Sequence, residues 1–195
     1  MRVISGTARG KKLLPVPGMT TRPTTDRVKE SIFNIIQMQV RGARVLDLFA
    51  GTGQMGIEAL SRGAAHCDFV DHDKGALAVV RKNVEACRVA DRAHLAGGEF
   101  GAFVSRCPRG QYDLIFLDPP YGGKILKDAL SAIERFDILS KTGIIICESA
   151  VGDRFAHGFE VVRERRYGAT MITVLRRQNG GTDERHENCD LPGQL

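Results

Sequence analysis

Four uninterrupted apolar residues, Leu114 to Leu117, run directly into Asp118-Pro119-Pro120-Tyr121. A short continuous apolar run fits a strand buried on both faces of a parallel sheet, whereas a half-exposed strand would alternate. Proline has no N–H with which to extend the ladder, so the strand must stop at Asp118. Asp118 and Tyr121 are thereby expected at the carboxyl end of a central strand, where open α/β sheets bind their ligands. Pro119 and Pro120 restrict φ and leave their carbonyls free to accept hydrogen bonds. Fixed acceptors beside a flat ring make a receptor for a planar base with an exocyclic amino group. An ordinary strand end followed by a tight turn is the alternative reading of these four residues.

The rest of the chain supplies partners for such a strand. Arg44-Val45-Leu46-Asp47-Leu48-Phe49-Ala50-Gly51-Thr52-Gly53 reads as a strand entering a glycine turn, followed by a helix from Met55 to Arg62 that Gly63 closes. Glycine lets the backbone approach a ligand closely, and Asp47 places a carboxylate beside that approach. Gly51, Gly53 and Gly56 satisfy the Gly-x-Gly-x-x-Gly spacing, which leaves a nicotinamide dinucleotide reading open. Asp47 would repel a diphosphate, however, and suits a cationic amino acid group better. A second strand, Cys67 to Val70, ends at Asp71, twenty residues after Gly51, where an acid conventionally accepts from a ribose diol; a solvated aspartate is the alternative. Leu77, Val80 and Val84 stripe the following helix. Ala93 to Ala96 forms a weak third strand, beyond which Glu99-Phe100 is placed to face an adenine amino group or, alternatively, solvent. Leu126 to Phe136 reads as a helix, Ile144 to Glu148 as a buried strand, and Phe159–Arg163 with Met171–Leu175 as a hairpin turning near Tyr167-Gly168. Upstream, Val28, Ile32, Ile35 and Ile36 give one apolar stripe on a helix from about 25 to 38, with Thr24 or Thr25 as N-cap. Strands alternating with helices and then a hairpin predict a doubly wound, mostly parallel α/β fold with an antiparallel edge.

Charge is concentrated at one end. The 195 residues carry a formal net charge of +5, yet residues 1–29 contain seven bases against Asp26 alone, a local +6. A local excess of this kind favours a polyanionic partner, RNA or DNA, over a merely solvated surface. Arg2-Val3-Ile4, a turn at Ser5-Gly6 and a basic return through Lys11 to Leu14 read as a β-ribbon suited to phosphate contact. We expect a basic arm over 1–20, one α/β domain over 21–177, and a polar, disordered tail over 178–195. The five cysteines (67, 87, 107, 147 and 189) are widely spaced and form no Cys-x-x-Cys pair, which argues against a disulfide framework and a zinc site. A reducing cytoplasm fits them, and no apolar run approaches a membrane span.

Asp47-x-Phe49-Ala50-Gly51-x-Gly53 is similar to the first motif of class I S-adenosylmethionine-dependent methyltransferases, and Asp118-Pro119-Pro120-Tyr121 resembles their amino-methyltransferase motif. Arg2-Val3-Ile4-Ser5-Gly6-x-x-Arg9-Gly10 and the block from Arg22 to Asn34 narrow the resemblance, over about residues 1–176, to the RsmD family, which methylates N2 of a guanine in bacterial 16S ribosomal RNA. The resemblance implies a Rossmann-like, seven-stranded sheet and S-adenosylmethionine as methyl donor. It implies that the donor is held by Asp47, Phe49, Ala50, Gly51, Gly53, Asp71, His72, Glu99, Phe100 and Thr25. Asp118, Pro119, Pro120 and Tyr121 would act on the base, and Arg2, Arg9, Lys11, Lys12 and Arg22 would meet RNA phosphates; no metal is needed, and one shallow basic face would work as a monomer. Glu99-Phe100 departs from the Asp or Asn and small residue often seen there. Three rivals share parts of this apparatus: a DNA adenine or cytosine amino-methyltransferase, a protein glutamine methyltransferase, and a non-catalytic ribosome-assembly factor that binds RNA.

Overall fold

The computed structural model describes residues 1–17, 25–119, 123–153 and 155–178. Seven strands, β1 (Arg44–Asp47), β2 (His66–Asp71), β3 (Ala93–Gly97), β4 (Tyr112–Leu117), β5 (Leu139–Ala150), β6 (Phe159–Tyr167) and β7 (Thr170–Arg177), form one sheet. Their spatial order is β3-β2-β1-β4-β5-β7-β6. The first five are parallel, and β7 runs antiparallel between β5 and β6. Winding proceeds outward from β1 through β2 to β3, then restarts at β4 on the other side of β1. The reversal between β1 and β4 is the switch point at which such sheets open a crevice.

Both sheet faces are covered, which is why β4 carries no polar alternation. Leu114 and Phe116 join one core cluster, and Ile115 and Leu117 join the other. Helices α1 (Asp26–Ile35), α2 (Gln37–Val40), α3 (Gln54–Ser61) and α4 (Lys74–Ala86) precede the second half of the sheet; α5 (Phe100–Val104) and α6 (Gly123–Phe136) follow β3 and β4. The helix expected over 25–38 is divided at Ile36, whose φ of −104° and ψ of 13° leave the helical range. Ile36 and Val40 are nevertheless both buried, so the break keeps the apolar stripe on the core. Among the described residues no helix is long and apolar enough to cross a membrane.

The N-terminal ribbon contracts to a single antiparallel bridge, Arg2 with Lys12, and it packs on the sheet domain: Val3, Ala8 and Leu13 belong to the first core cluster. A buried ion cluster fastens it. The Glu58 carboxylate accepts from Ile4 N (2.7 Å), Ser5 N (3.0 Å) and Arg62 Nε (2.7 Å), with Lys29 Nζ at 3.6 Å. Lys29 Nζ also donates to the Arg2 carbonyl at 2.5 Å. Glu58 and Lys29 are fully buried, a setting that a carboxylate tolerates only with this many donors around it. Burial pushes the Lys29 ammonium below its ordinary pKa, against the pull of Glu58 and Asp26.

Candidate active site at the carboxyl ends of the strands

A cleft of about 420 Å³ opens where β1, β4 and β5 end. That volume lies in the range of small-molecule and cofactor sites. Its walls gather Asp47 and Phe49–Gly51 from the β1 turn, Asp71 and His72 from the end of β2, Asp118 and Pro119 from the end of β4, and Glu148 from β5. Four carboxylates, Asp71, Asp47, Asp118 and Glu148, therefore stand at or near the ends of four adjacent parallel strands, β2, β1, β4 and β5.

The glycine turn is built by backbone hydrogen bonds across the switch point. Leu48 N donates to Phe116 O (3.2 Å) and Ala50 N to Val70 O (3.0 Å), pinning the turn to both neighbouring strands. Gly51 has φ 52°, a conformation L side chains rarely adopt, and a Cβ there would meet nothing within 4 Å. The glycine thus serves the turn and leaves open space in the cleft. Gly53, at φ 75°, instead caps α3, where a Cβ would press on Val80, Ile57 and Phe69. Gly56 lies within α3, with Phe69 Cε1 2.3 Å from a would-be Cβ, so it permits close helix–strand packing.

Two acids hold this turn. Asp71 Oδ2 accepts from Gly51 N (2.8 Å) and Oδ1 from Asp73 N (2.9 Å). Asp47 Oδ2 accepts from Gly56 N (3.0 Å). Burial pushes the Asp47 carboxyl up to about 7; the Gly56 N–H works against the rise and the Asp71 charge adds to it. Asp118 is also held well above the ordinary carboxylate range, first by desolvation and then by the negative charges of Glu148 and Asp47. By surface area Asp118 is exposed, because it opens into the cleft. Protein atoms crowd it on its other sides, and the two neighbouring carboxylates push in the same direction, so the upward shift stands.

An acid-rich cleft in which Asp47 and Asp118 resist ionisation is suited to a ligand that brings positive charge. Gln54 points to a ligand as well. It lines the cleft and is only 8% exposed, yet its buried Oε1 has no hydrogen-bond partner among the described residues. A buried acceptor without a donor costs free energy that a bound N–H or O–H would return.

The comparisons with known proteins decide between the families that share such a cleft. Residues 1–176 match the family profile named Conserved hypothetical protein 95. The chain belongs to this family, the RsmD methyltransferases. It is 39% identical over 188 residues to "Putative rRNA methyltransferase YlbH" of Bacillus subtilis, covering 91% of this chain and all of that one. It is 35% identical over 153 residues to "Ribosomal RNA small subunit methyltransferase D" of Escherichia coli K12, covering 77% and 75% of the two chains. Among solved structures, "Putative methyltransferase yhhF" from Escherichia coli superposes with a TM-score of 0.80 at 32% identity, over 91% of this chain and 97% of that one.

Within this family fold the expected site residues divide into groups. Asp47, Phe49, Ala50, Gly51, Asp71, His72, Asp118 and Pro119 come together on the cleft wall. Gly53, Glu99, Phe100 and Thr25 do not line it among the described residues. Thr25 is the N-cap of α1, with Oγ1 accepting from Val28 N at 3.4 Å. Glu99 precedes α5 without a side-chain cap, and Phe100 reaches the site only through Phe49, the two rings tilted with centroids 5.5 Å apart. Of the bases, Arg2 is ion-paired to Asp26 at 3.0 Å, whereas Arg9, Lys11 and Lys12 are exposed and have no such partner among the described residues. Pro120, Tyr121, Arg22 and the tail from 179 lie outside the described residues.

Four contributors had no motif to announce them. Met1, Pro15 and Val16 form part of the cleft wall. Buried Asn83 on α4 ties this segment to the glycine turn: its Oδ1 accepts from Leu14 N (2.8 Å), and its Nδ2 donates to Leu14 O (3.2 Å) and Thr52 O (2.9 Å). An Asn within an otherwise apolar helical stripe was the one available signal.

Proposed function

We propose that this chain transfers a methyl group from S-adenosylmethionine to the exocyclic N2 amino group of a guanine in 16S ribosomal RNA. The observation that carries the reading is the meeting of Asp118-Pro119 with the Gly51 turn in one cleft, in a chain whose relatives are named as ribosomal RNA methyltransferases. The residues present suit this donor: Asp71, on the cleft wall beside the Gly51 turn, would accept from a ribose diol, Gly51 leaves room for close approach, and Asp47 with the Gln54 Oε1 favours an ammonium group. S-adenosylmethionine supplies an already activated methyl group, so the protein's task is placement and electrostatics.

Asp118 and the Pro119 carbonyl accept the two amino hydrogens of the base and orient its nitrogen. A guanine N2 lone pair is delocalised into the ring, and negative charge facing the amino group stabilises the positive charge that grows as it reacts. The raised pKa of Asp118 also fits it to take a proton afterwards. Exposed Arg9, Lys11 and Lys12 contact RNA phosphates, and Tyr121 stacks on the extruded base.

Labelled S-adenosylmethionine should be incubated with unmodified small ribosomal subunits, naked 16S RNA and duplex DNA, and the nucleosides identified by mass. N2-methylguanosine from ribosomal material is the expected product. Methyladenine or methylcytosine in DNA would replace the proposal with a DNA amino-methyltransferase, and tight donor binding without any transfer would leave an assembly factor.

A further inference from the structure

The basic N-terminal ribbon is one concentration of positive charge near the cleft; the terminal hairpin is another, which no motif announces. From Phe159 to Arg177 the terminal hairpin holds five arginines against two glutamates. Those on β7 are neutralised: Arg176 forms a two-point ion pair with Glu160, and Arg177 pairs with Asp137. Those on the edge strand are treated differently. Arg163 and Arg165 are exposed and have no ion pair or hydrogen bond among the described residues.

A one-residue bulge decides where they point. Val161 pairs with Leu175, but Arg163 pairs with Val174, so Val162 is the extra residue. In the shifted register Arg163, Arg165 and Tyr167 stand opposite Val174, Ile172 and Thr170. Val174 and Ile172 belong to the core cluster that also contains Ile32 and Phe33 of α1. Directly opposed residues share a face, so both arginines lie on the α1 side of the sheet. Without the bulge Glu164 would oppose Ile172 and take that face instead; re-aiming of side chains is a known use of bulges. Tyr167 hydroxyl is hydrogen-bonded to Ser31 Oγ of α1, four residues after Arg27, which is exposed and has no ion pair or hydrogen bond among the described residues. The hairpin turn then continues into Ala169 and Thr170, both on the cleft wall.

The geometry points to a second phosphate-binding track, formed by Arg163 and Arg165 on β6 with Arg27 on α1, that carries the RNA strand away from the cleft mouth along the α1 side of the edge strand. This rests on the proposed RNA substrate. Residues two apart on a strand are about 6.6 Å apart along it, comparable with the phosphate spacing of an extended nucleic-acid strand. Val161 and Val162 are also exposed on this edge, but a protein strand would have to meet β6 at its bulge and its charges, so the unpaired arginines fit phosphate contact better. The ribbon and the hairpin are held to the same helix, by Arg2–Asp26 and by Tyr167–Ser31, so α1 links the two tracks.

The test compares the wild type, the double variant R163Q/R165Q and the control K141Q, which removes an exposed charge nine residues before the cleft end of β5. Binding to unmodified 16S RNA is measured across a salt series, with S-adenosylhomocysteine affinity and thermal stability as folding checks. Each lost phosphate contact reduces the slope of log affinity against log salt by about 0.7 on single strands and 0.9 on duplex. The double variant should therefore lose roughly 1.4 to 1.8 of slope and bind about tenfold or more weakly at low salt, with ligand affinity unchanged. An unchanged slope, or an equal loss in K141Q, overturns the track. A wild type that binds no RNA at all overturns the proposed substrate, and the track with it.

Discussion

Replacing Asp47 by Asn tests the electrostatic account of the cleft at its most buried acid. Burial raises the Asp47 carboxyl to about 7 from an ordinary 3.8. A folded-state value above the unfolded one means that the folded chain holds the proton more tightly. Stability from this group is therefore fully present below pH 4 and is lost as pH rises through about 7. At 1.36 kcal/mol per pKa unit, the loss is at most about 4 kcal/mol by pH 8 and about 1.5 kcal/mol at pH 5. The Asn side chain keeps an acceptor for Gly56 N–H but has no charge to bury. D47N should therefore gain on the wild type as pH rises, by up to roughly 2.5 kcal/mol between pH 5 and 8. Urea unfolding of both proteins across that range measures the gap; groups remote from Asp47 cancel in the difference, and relief of Asp118, whose pKa the Asp47 charge raises, adds in the same direction. A gap that stays constant from pH 5 to 8 refutes the reasoning. A ligand ammonium beside Asp47 adds a second readout. S-adenosylhomocysteine binding to the wild type near pH 6.5 should release protons, seen by calorimetry in buffers of different ionisation enthalpy. D47N should release fewer.

Asp118→Ala should leave S-adenosylhomocysteine affinity near that of the wild type while turnover on RNA falls on the order of 10²–10³-fold; near-normal turnover removes Asp118 from the mechanism. Because desolvation, Glu148 and Asp47 all raise the Asp118 pKa, turnover in the wild type should climb as pH rises and the carboxylate forms. Glu148→Gln removes one of those charges, so the climb should move to lower pH; a profile that does not move denies the coupling. Gly56→Ala would place a methyl group 2.3 Å from Phe69 Cε1 and 2.6 Å from Cys67 Sγ, both on buried strand positions. A cost of about 1–3 kcal/mol in urea unfolding is expected, and no cost would mean that α3 can slide away from β2.

Much of this architecture was legible because its signals are local. An unbroken apolar run stopped by Pro119 fixes both the burial and the end of β4, and the spacing from Gly51 to Asp71 places two strand ends side by side. Glu99 and Phe100 were harder, since a residue just past a strand can turn toward or away from the cleft according to how the next helix packs. Phe100 turns to Phe49. Glu148 ends an apolar run as Asp118 does, but only the strand order, which brings β5 beside β4, gives its carboxylate a partner. The bulge at Val162 was invisible for a related reason. Its register is set by β7, and alternation within β6 alone does not choose the face that Arg163 takes.

The N-terminal segment shows why net charge gave an incomplete account of its role. The local excess of bases predicts a polyanion contact, but one of them, Lys29, is buried, and the segment's position depends on Glu58, which receives two of its backbone N–H groups while pairing with Lys29 and Arg62. The same segment supplies Met1, Pro15 and Val16 to the cleft wall. Glu58→Gln should therefore have two separable effects. Leaving Lys29 buried and uncompensated costs about 3–5 kcal/mol, read by urea unfolding. Loosening the wall should also weaken S-adenosylhomocysteine binding under conditions where the variant is still folded. Adding Lys29→Met removes the orphaned charge, so stability should return in part. Ligand affinity should stay low in the double variant, because the acceptors for Ile4 and Ser5 N–H are still weakened. Full recovery of affinity together with stability would show that Glu58 acts on the cleft only through global folding and does not position the segment.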